Sequence, residues 1–512
     1  MNVVRAIPRP LAAFACGAAV AWTAVAGAEA SVDKPPNIVF IFSDDHSLQT
    51  IGAYGARLSE FCREQNITPN IDRLAAEGGL FVNSFCGNSI CSPSRASVLT
   101  GLHSHANGVR TIVGQPPIPP TMWTFPQALH EAGYQTSLIG KWHLEKTVPT
   151  YDEWLILPGQ GQYTNPDFRS ATGKITTEGY ASDVITDLAI DWLKKRDPAK
   201  PFFLAIQHKA PHREFVPPPR YYSWLDGVKI PEPETLFDDY STRTSAAREQ
   251  KLSIEKEMEL GHDLKVGPKY ARHPGYAARN AEFARLKPEG RALTQWKYQQ
   301  YMKDYLRCVK GVDDSVGRIL EELKKEGLED NTIVIYSSDQ GFLNGEHGWF
   351  DKRWIYEESI HMPFIVRWPG VVKPGTRFTE FIQNIDYAET FVDMAGGKIP
   401  EGLHGRSLVP VLRGATPADW RKSVYYHFYK DPTGNVAKHC GVRTDRYTLA
   451  YFYEKNEWEL FDNQKDPQQI HNVHDNPEYA KIAGELKSEL TRLRSLYKDS
   501  DDLSCPTNQQ PP

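Results

Sequence analysis

The chain reads as an α/β sandwich built on a mostly parallel central sheet, followed by a smaller α+β part. Three observations predict this. Four short apolar runs, rich in β-branched and aromatic residues, show no alternation, which marks strands buried on both faces. Helical stretches separate the runs, as right-handed crossovers between parallel strands require. Each run also ends at once in acids, His or Lys, at the carboxyl edge where open α/β sheets hold their ligands.

The elements follow in order. Arg5 and Arg9 precede an apolar stretch from about Leu11 to Gly27, and Ala28-Glu29-Ala30 supplies small residues for cleavage. This is the pattern of a secretory signal peptide cut after Ala30, so a secreted or periplasmic protein is expected. A lipoprotein leader with Cys16 as the lipidated residue is the rival, but Phe14 close by and the missing Leu fit it poorly. No other apolar run approaches the ~20 residues that cross a bilayer. The first strand, Asn37 to Phe42, leads into Ser43-Asp44-Asp45-His46. The second, Gln135 to Ile139, leads into Gly140-Lys141-Trp142-His143, and the third, Pro201 to Ile206, into Gln207-His208-Lys209. The fourth, Asn331 to Tyr336, leads into Ser337-Ser338-Asp339-Gln340-Gly341. Helices are expected over Asn70 to Glu77, Thr124 to Ala132, Ser182 to Lys195 and Gln295 to Lys325.

A charged, Ala-rich and Pro-punctuated segment, 231–290, reads as an insertion of helices and loops over the sheet. The catalytic part is taken as 31–375 and the smaller part as 376–512. In the latter, Cys440 to Tyr453 and Glu457 to Asp462 read as two antiparallel strands, and Glu478 to Tyr497 as an amphipathic helix. A chain of 512 residues with net charge −5 gains no bulk attraction to nucleic acid or anionic lipid. An anionic substrate must therefore meet a local cluster of cations. The 24 Tyr and 12 Trp suit sugar-stacking surfaces and a large core equally. Beyond the leader, Cys62, Cys86, Cys91, Cys308, Cys440 and Cys505 are scattered, with neither a CxxC pair nor metal-ligand spacing.

One stretch is far more specific. Cys91-Ser92-Pro93-Ser94-Arg95-Ala96-Ser97-Val98-Leu99-Thr100-Gly101 carries C-x-P-x-R-x-x-x-L-T-G at every defined position. On it the chain resembles the type I, formylglycine-dependent sulfatases, and the resemblance covers nearly the whole sequence after the leader. It implies an alkaline-phosphatase-like sandwich and a maturation enzyme that oxidises Cys91 to formylglycine in the unfolded chain. The hydrated aldehyde has two hydroxyls. One attacks sulfur, and the other lets the sulfated intermediate collapse to the aldehyde and expel sulfate. A thiol nucleophile activated by a helix start, or a buried structural Cys, are the rival readings of Cys91.

Asp44, Asp45 and Asp339 offer carboxylates and Gln340 an amide oxygen, a set that suits calcium or magnesium better than zinc. By the family pattern these four and Cys91 would hold the ion. Many relatives carry Asn where Gln340 stands. The resemblance further implies that Arg95 holds the diol and that Lys141 and Lys352 grip the sulfate. His143 would take a proton from the second hydroxyl, and His208 would give one to the leaving oxygen. His212, Arg213, Trp349, Arg353, His361 and His404 are expected to line a sugar pocket. The overall likeness is to bacterial sulfatases of glycosaminoglycan sugars, of the N-acetylglucosamine-6-sulfatase kind, so a sulfated saccharide is the expected partner. A phosphoester or phosphonate hydrolase of the same superfamily, a catalytically dead glycan-binding protein, and a structural protein are the alternatives.

Overall fold

The computed structural model describes residues 34–114, 116–429, 434–501 and 503. The expected leader, with Cys16, and Cys505 lie outside the described residues. Sixteen strands are found among the described residues. They are β1 (Asn37–Asp44), β2 (Gly79–Phe85), β3 (Gln135–Lys141), β4 (Glu153–Leu157), β5 (Asp167–Ser170), β6 (Gly173–Thr176), β7 (Phe202–Pro211), β8 (Thr332–Ser338), β9 (Leu343–Asn344), β10 (Phe350–Asp351), β11 (Phe364–Arg367), β12 (Thr376–Gln383), β13 (Ser423–Phe428), β14 (His439–Thr444), β15 (Tyr447–Phe452) and β16 (Glu457–Asp462).

Ten of them form one sheet in the order β12-β2-β11-β8-β1-β7-β3-β4-β5-β6. Its centre, β8-β1-β7-β3-β4, is parallel throughout. The four runs singled out in the sequence are four of these five adjacent strands. β11 enters antiparallel between β8 and β2, and the β5–β6 hairpin closes one edge.

β1 shows why the runs lack alternation. Ile38, Phe40 and Phe42 join one core with Phe203 and Phe391, while Val39 and Ile41 join another with Leu204, Val312 and Val316. Both faces are therefore apolar. The second core lies under the 36-residue helix Gly290–Lys325, and the helices Cys91–Thr100, Phe125–Glu131 and Tyr387–Met394 cover the first. Phe40 is fully buried, with its ring centroid 4.9 Å from that of Phe391. Burial of such a side chain contributes about 1.5–3 kcal/mol.

The expected helices form, with ends shifted by a few residues: Pro69–Glu77, Phe125–Glu131, Ala181–Lys195 and Gly290–Lys325. The 231–290 segment contains the short helix Ser245–Glu249, the helix Ala277–Leu286 and several turns. It is pinned to the long helix by Arg279, whose guanidinium donates to both carboxylate oxygens of Asp304 at 2.7 Å.

The C-terminal region differs from expectation in two ways. β12, where the smaller part was expected to begin, is the outer strand of the large sheet and runs parallel to β2. The stretch from Cys440 to Tyr453 is two strands, β14 and β15, because the chain turns at Asp445-Arg446. With β13 and β16 they make a four-stranded antiparallel sheet. One face packs on the helix Ala480–Leu496, and the other, through Tyr426, Ala450 and Phe452, joins the first core of the large sheet. Seamless packing of this kind explains why the chain from Pro35 onward is one compact unit.

Candidate active site

The carboxyl ends of β1, β3, β7 and β8 meet the start of the helix Cys91–Thr100. All ten residues of this helix are buried. Pro93 sits in its first turn, where a missing N–H costs nothing. Gly101 ends it at φ +67°, a left-handed cap. Ser92 and Ser94 moor the N-terminus to the sheet, Ser92 Oγ donating to the His143 carbonyl at 2.7 Å and Ser94 Oγ to the Asp339 carbonyl. Close approach also explains two glycines, one at the end of β3 and one just beyond β8. At Gly140, φ +119°, a Cβ would lie 1.9 Å from the Gln207 carbonyl oxygen, and at Gly341 it would lie 2.2 Å from that of Glu358.

Cys91 Sγ stands 3.4 Å from Asp44 Oδ1 and 4.0 Å from Lys141 Nζ. Burial, and then Asp44 beside it, push the Cys91 thiol far above its ordinary value. An unmodified Cys91 is thus a neutral thiol, the opposite of what a thiolate nucleophile needs.

Asp44, Asp45 and Asp339 carry carboxylate oxygens within 4.8 Å of one another. Each acid has its own cation. Lys141 reaches Asp44, Lys352 Nζ lies 2.6 Å from both oxygens of Asp45, and Arg95 lies 3.0 Å from Asp339. Arg95 also donates to the Lys141 carbonyl and to Gln207 Oε1, both at 2.8 Å. Burial raises Asp44, but Lys141, His212 and Arg95 hold its carboxyl well below the usual range. Burial, helped by the negative charge of Asp44, pushes Asp45 up to about 6 and Asp339 up to about 8. Crowded carboxyls of this kind are relieved by a cation. Gln340 Nε2 donates to Asp45, while its Oε1 is buried with no partner. Three carboxylates and an orphaned amide oxygen therefore fit a hard divalent ion held by oxygen.

Four non-glycine residues here sit in left-handed backbone: Asp45 at φ +66°, His143 at +55°, Asp351 at +88° and Arg353 at +91°. Such conformations cost of order 1–3 kcal/mol each and gather where a site is over-determined by its surroundings. His143 has a buried Nδ1 without a partner. Burial and then Lys141 hold its ring well below the ordinary value, so it is neutral and able to accept a proton.

His208 is not brought into the site. β7 extends to Pro211, so His208 is a strand residue and not the first residue beyond the strand. Gln207 faces Arg95, and His208 therefore faces the other way, where its Nε2 lies 3.0 Å from Ser315 Oγ on the long helix. His212 stands in its place. Its Nε2 is 3.7 Å from Asp45 Oδ2, and it forms a close cluster with Asp44 and Cys91. His212 Nδ1 bonds the Arg213 carbonyl, which can only accept, so the proton sits on Nδ1 and Nε2 faces the site.

The expected sugar-pocket residues scatter. Arg213 stays at the rim, paired with Asp263 at 2.6 and 2.8 Å. Arg353 pairs with Asp351 next to Lys352. Trp349 is fully buried between the rings of Tyr240 and Trp354, a core residue. His361 stacks on Phe85 and pairs with Glu357. His404 lies at the far end of the nucleophile helix, its N–H bonded to the Gly101 carbonyl and its ring beside His103 and Tyr497. A ten-residue helix, about 15 Å long, separates it from Cys91. Gln160 and Gln207, which bind Lys141 and Arg95, carry no sequence signal of their own.

The sulfatase family model matches residues 36–397, and the model of the C-terminal part of N-sulphoglucosamine sulphohydrolase matches residues 345–496. An N-acetylglucosamine-6-O-sulfatase of Bacteroides thetaiotaomicron is 43% identical over 94% of this chain and 90% of its own length. An arylsulfatase of Clostridium perfringens is 25% identical over 91% and 97%. A solved structure, described as a complex with its substrate D-glucosamine-2-N,6-O-disulfate, superposes with a TM-score of 0.87 at 43% identity, covering 92% of this chain and 99% of that one. With the family model spanning most of its length and a close relative aligned almost end to end, the chain belongs to the sulfatase family.

Proposed function

We propose that this sulfatase removes the 6-O-sulfate of N-acetylglucosamine or glucosamine units in glycosaminoglycan fragments, with Cys91 converted to formylglycine as its nucleophile. The observation that carries the reaction is the placement of Cys91 Sγ at 3.4 Å from Asp44 and 4.0 Å from Lys141, at a buried helix start beside three matched acid–cation pairs. The choice of sugar rests on the 43% identical relative and its substrate complex.

Asp44, Asp45, Asp339, Gln340 and residue 91 would hold a calcium ion. When bound, it polarises the sulfate oxygens and acidifies the attacking hydroxyl. Lys141, Lys352 and Arg95 supply positive charge where negative charge develops on the transferring sulfate. His143, neutral and with an unpartnered nitrogen, accepts the proton of the second hydroxyl. His212 takes the role that the resemblance to the family implies for His208, and gives a proton from Nε2 to the leaving sugar oxygen. Burial and then Lys141 hold its ring well below the ordinary value, and an arriving anion offsets that cation and favours the protonated ring. The leader pattern of Arg5, Arg9 and the apolar stretch from about Leu11 to Gly27 supports a periplasmic or secreted enzyme. None of the described helices is long and apolar enough to cross a membrane.

Three measurements test the reading. Mass spectrometry of exported protein should find residue 91 as formylglycine, and an unmodified thiol throughout would sink the mechanism. A panel of defined sulfated mono- and disaccharides should show hydrolysis of 6-sulfated glucosamine derivatives, with paired aryl sulfate and aryl phosphate substrates separating sulfatase from phosphatase action. Chelation should abolish turnover and lower the unfolding midpoint, and calcium should restore both.

A further inference from the structure

Every acid of the site is matched to one cation: Asp339 to Arg95, Asp44 to Lys141 and Asp45 to Lys352. Lys209 is left over. It lies on β7 two residues beyond Gln207 and is 5% exposed. Its ammonium sits 4.7 Å over the centroid of the Tyr163 ring, whose hydroxyl donates to the His212 carbonyl. It makes no hydrogen bond or ion pair to any described residue. A buried charge without a carboxylate costs stability, and the fold could have placed an apolar side chain there. Such a cost is retained where a ligand supplies the missing charge. Burial and then Lys141 pull Lys209 down to about 8, which still leaves it mostly charged at neutral pH.

We propose that Lys209 recognises a second anionic group, a sulfate or sulfamate, on the sugar that bears the scissile sulfate. This rests on the proposed function and sharpens it: the enzyme is built for doubly anionic saccharides over singly sulfated ones. The complex cited above, whose substrate carries two sulfates, supports the class. Contact with an anion held at fixed position gives Lys209 a share in selectivity, while Lys141, Lys352 and Arg95 serve the reacting group.

The test compares wild type, Lys209→Met and Lys209→Arg on 6-O-sulfo-N-acetylglucosamine and glucosamine-2-N,6-O-disulfate. Lys209→Met should lose 10- to 100-fold in kcat/KM on the disulfate, chiefly through KM, and under threefold on the monosulfate. Lys209→Arg should keep most of the preference. The unfolding midpoint of Lys209→Met should hold or rise, since an unpaired buried charge has gone. Equal losses on both substrates, or a lowered midpoint with selectivity unchanged, would overturn the proposal. Should the wild type hydrolyse neither sugar, the functional reading fails on its own. Calorimetry with glucosamine-2-N-sulfate, which has no 6-sulfate, then decides for Lys209: equal affinity in wild type and Lys209→Met refutes it.

Discussion

Exchange of the two histidines of His208-Lys209-Ala210-Pro211-His212 by alanine separates the acid from the bystander. His212 Nε2 faces the site, so His212→Ala removes a positioned proton donor, an effect of about 10²–10⁴ in rate. That equals roughly 2.7–5.4 kcal/mol of lost transition-state stabilisation. The loss should appear on a sugar sulfate, whose alkoxide leaves poorly. It should shrink below tenfold on a nitrophenyl sulfate, whose leaving group needs no proton. His208→Ala acts elsewhere. It breaks the 3.0 Å bond to Ser315 and leaves a hole where a fully buried ring stood. The hydrogen bond contributes about 1 kcal/mol, and the hole adds about 2 kcal/mol more. Its signature is therefore a denaturation midpoint lowered by about 3 kcal/mol of stability, with kcat on either substrate changed less than threefold. Steady-state kinetics on both substrates and urea unfolding of both variants read the outcome. If His208→Ala costs a hundredfold in kcat on the sugar while His212→Ala does not, the assignment made from strand geometry is wrong.

Three further outcomes are expected. Cys91→Ser should fold with an unchanged unfolding midpoint and lose at least 10⁴-fold in turnover, because serine has no second hydroxyl with which to expel sulfate; retained activity would remove Cys91 from the chemistry. Gly140→Ala should destabilise by 3 kcal/mol or more, combining left-handed backbone with a clash at the Gln207 carbonyl, and soluble protein of wild-type midpoint would contradict the geometry. Glu357 is half-buried, which raises its carboxyl, yet Arg443 at 2.8 and 3.2 Å and His361 hold it well below the usual range. A depressed carboxyl adds stability above its unfolded value of about 4.3 and loses it as pH falls toward the folded one. Wild type should thus lose about 2 kcal/mol across that acid limb relative to Glu357→Gln, and parallel pH profiles would show that the pair contributes nothing.

Much of the site was legible because strand ends advertise themselves. Asp44, Lys141 and Asp339 each follow an apolar run that has no reason to end in charge, and the structure brings them together. Alternation places His208 on the face opposite Gln207, but it would put His212 on that same face; a register shift between Phe42↔Gln207 and Asp44↔Pro211 breaks the alternation there, and the apolar run, which stops at Ile206, gives no sign of it. The polar extension of β7 is stabilised by pairing with β1 as far as Asp44↔Pro211, a partner that a single run does not reveal. β4 and β11 are short, at five and four residues, and β2, though seven residues long, is only half-buried at Val82 and Asn83; the burial of all three depends on neighbours distant in the chain. Residue type alone makes Trp349, His361 and His404 candidates for sugar contacts. Aromatic side chains serve cores and sugars by the same surface, and only burial distinguishes the two uses. The boundary near Thr376 was a change of texture, and the outer strand of the large sheet happens to fall on the far side of it.

Complete burial of the helix Cys91–Thr100 has a consequence for how active protein is made. No enzyme can reach the Cys91 side chain once the helix has docked between the strand ends and the first core. Any covalent change at this residue must be finished while the segment is still free, so the active fraction is fixed by a race between two rates and not by an equilibrium. Conditions that hasten collapse, such as strong chain-stabilising co-solutes, would then yield a well-folded but inert population, indistinguishable from the active one by thermal unfolding. Slower folding, usually counted a defect, would here raise the specific activity of the product.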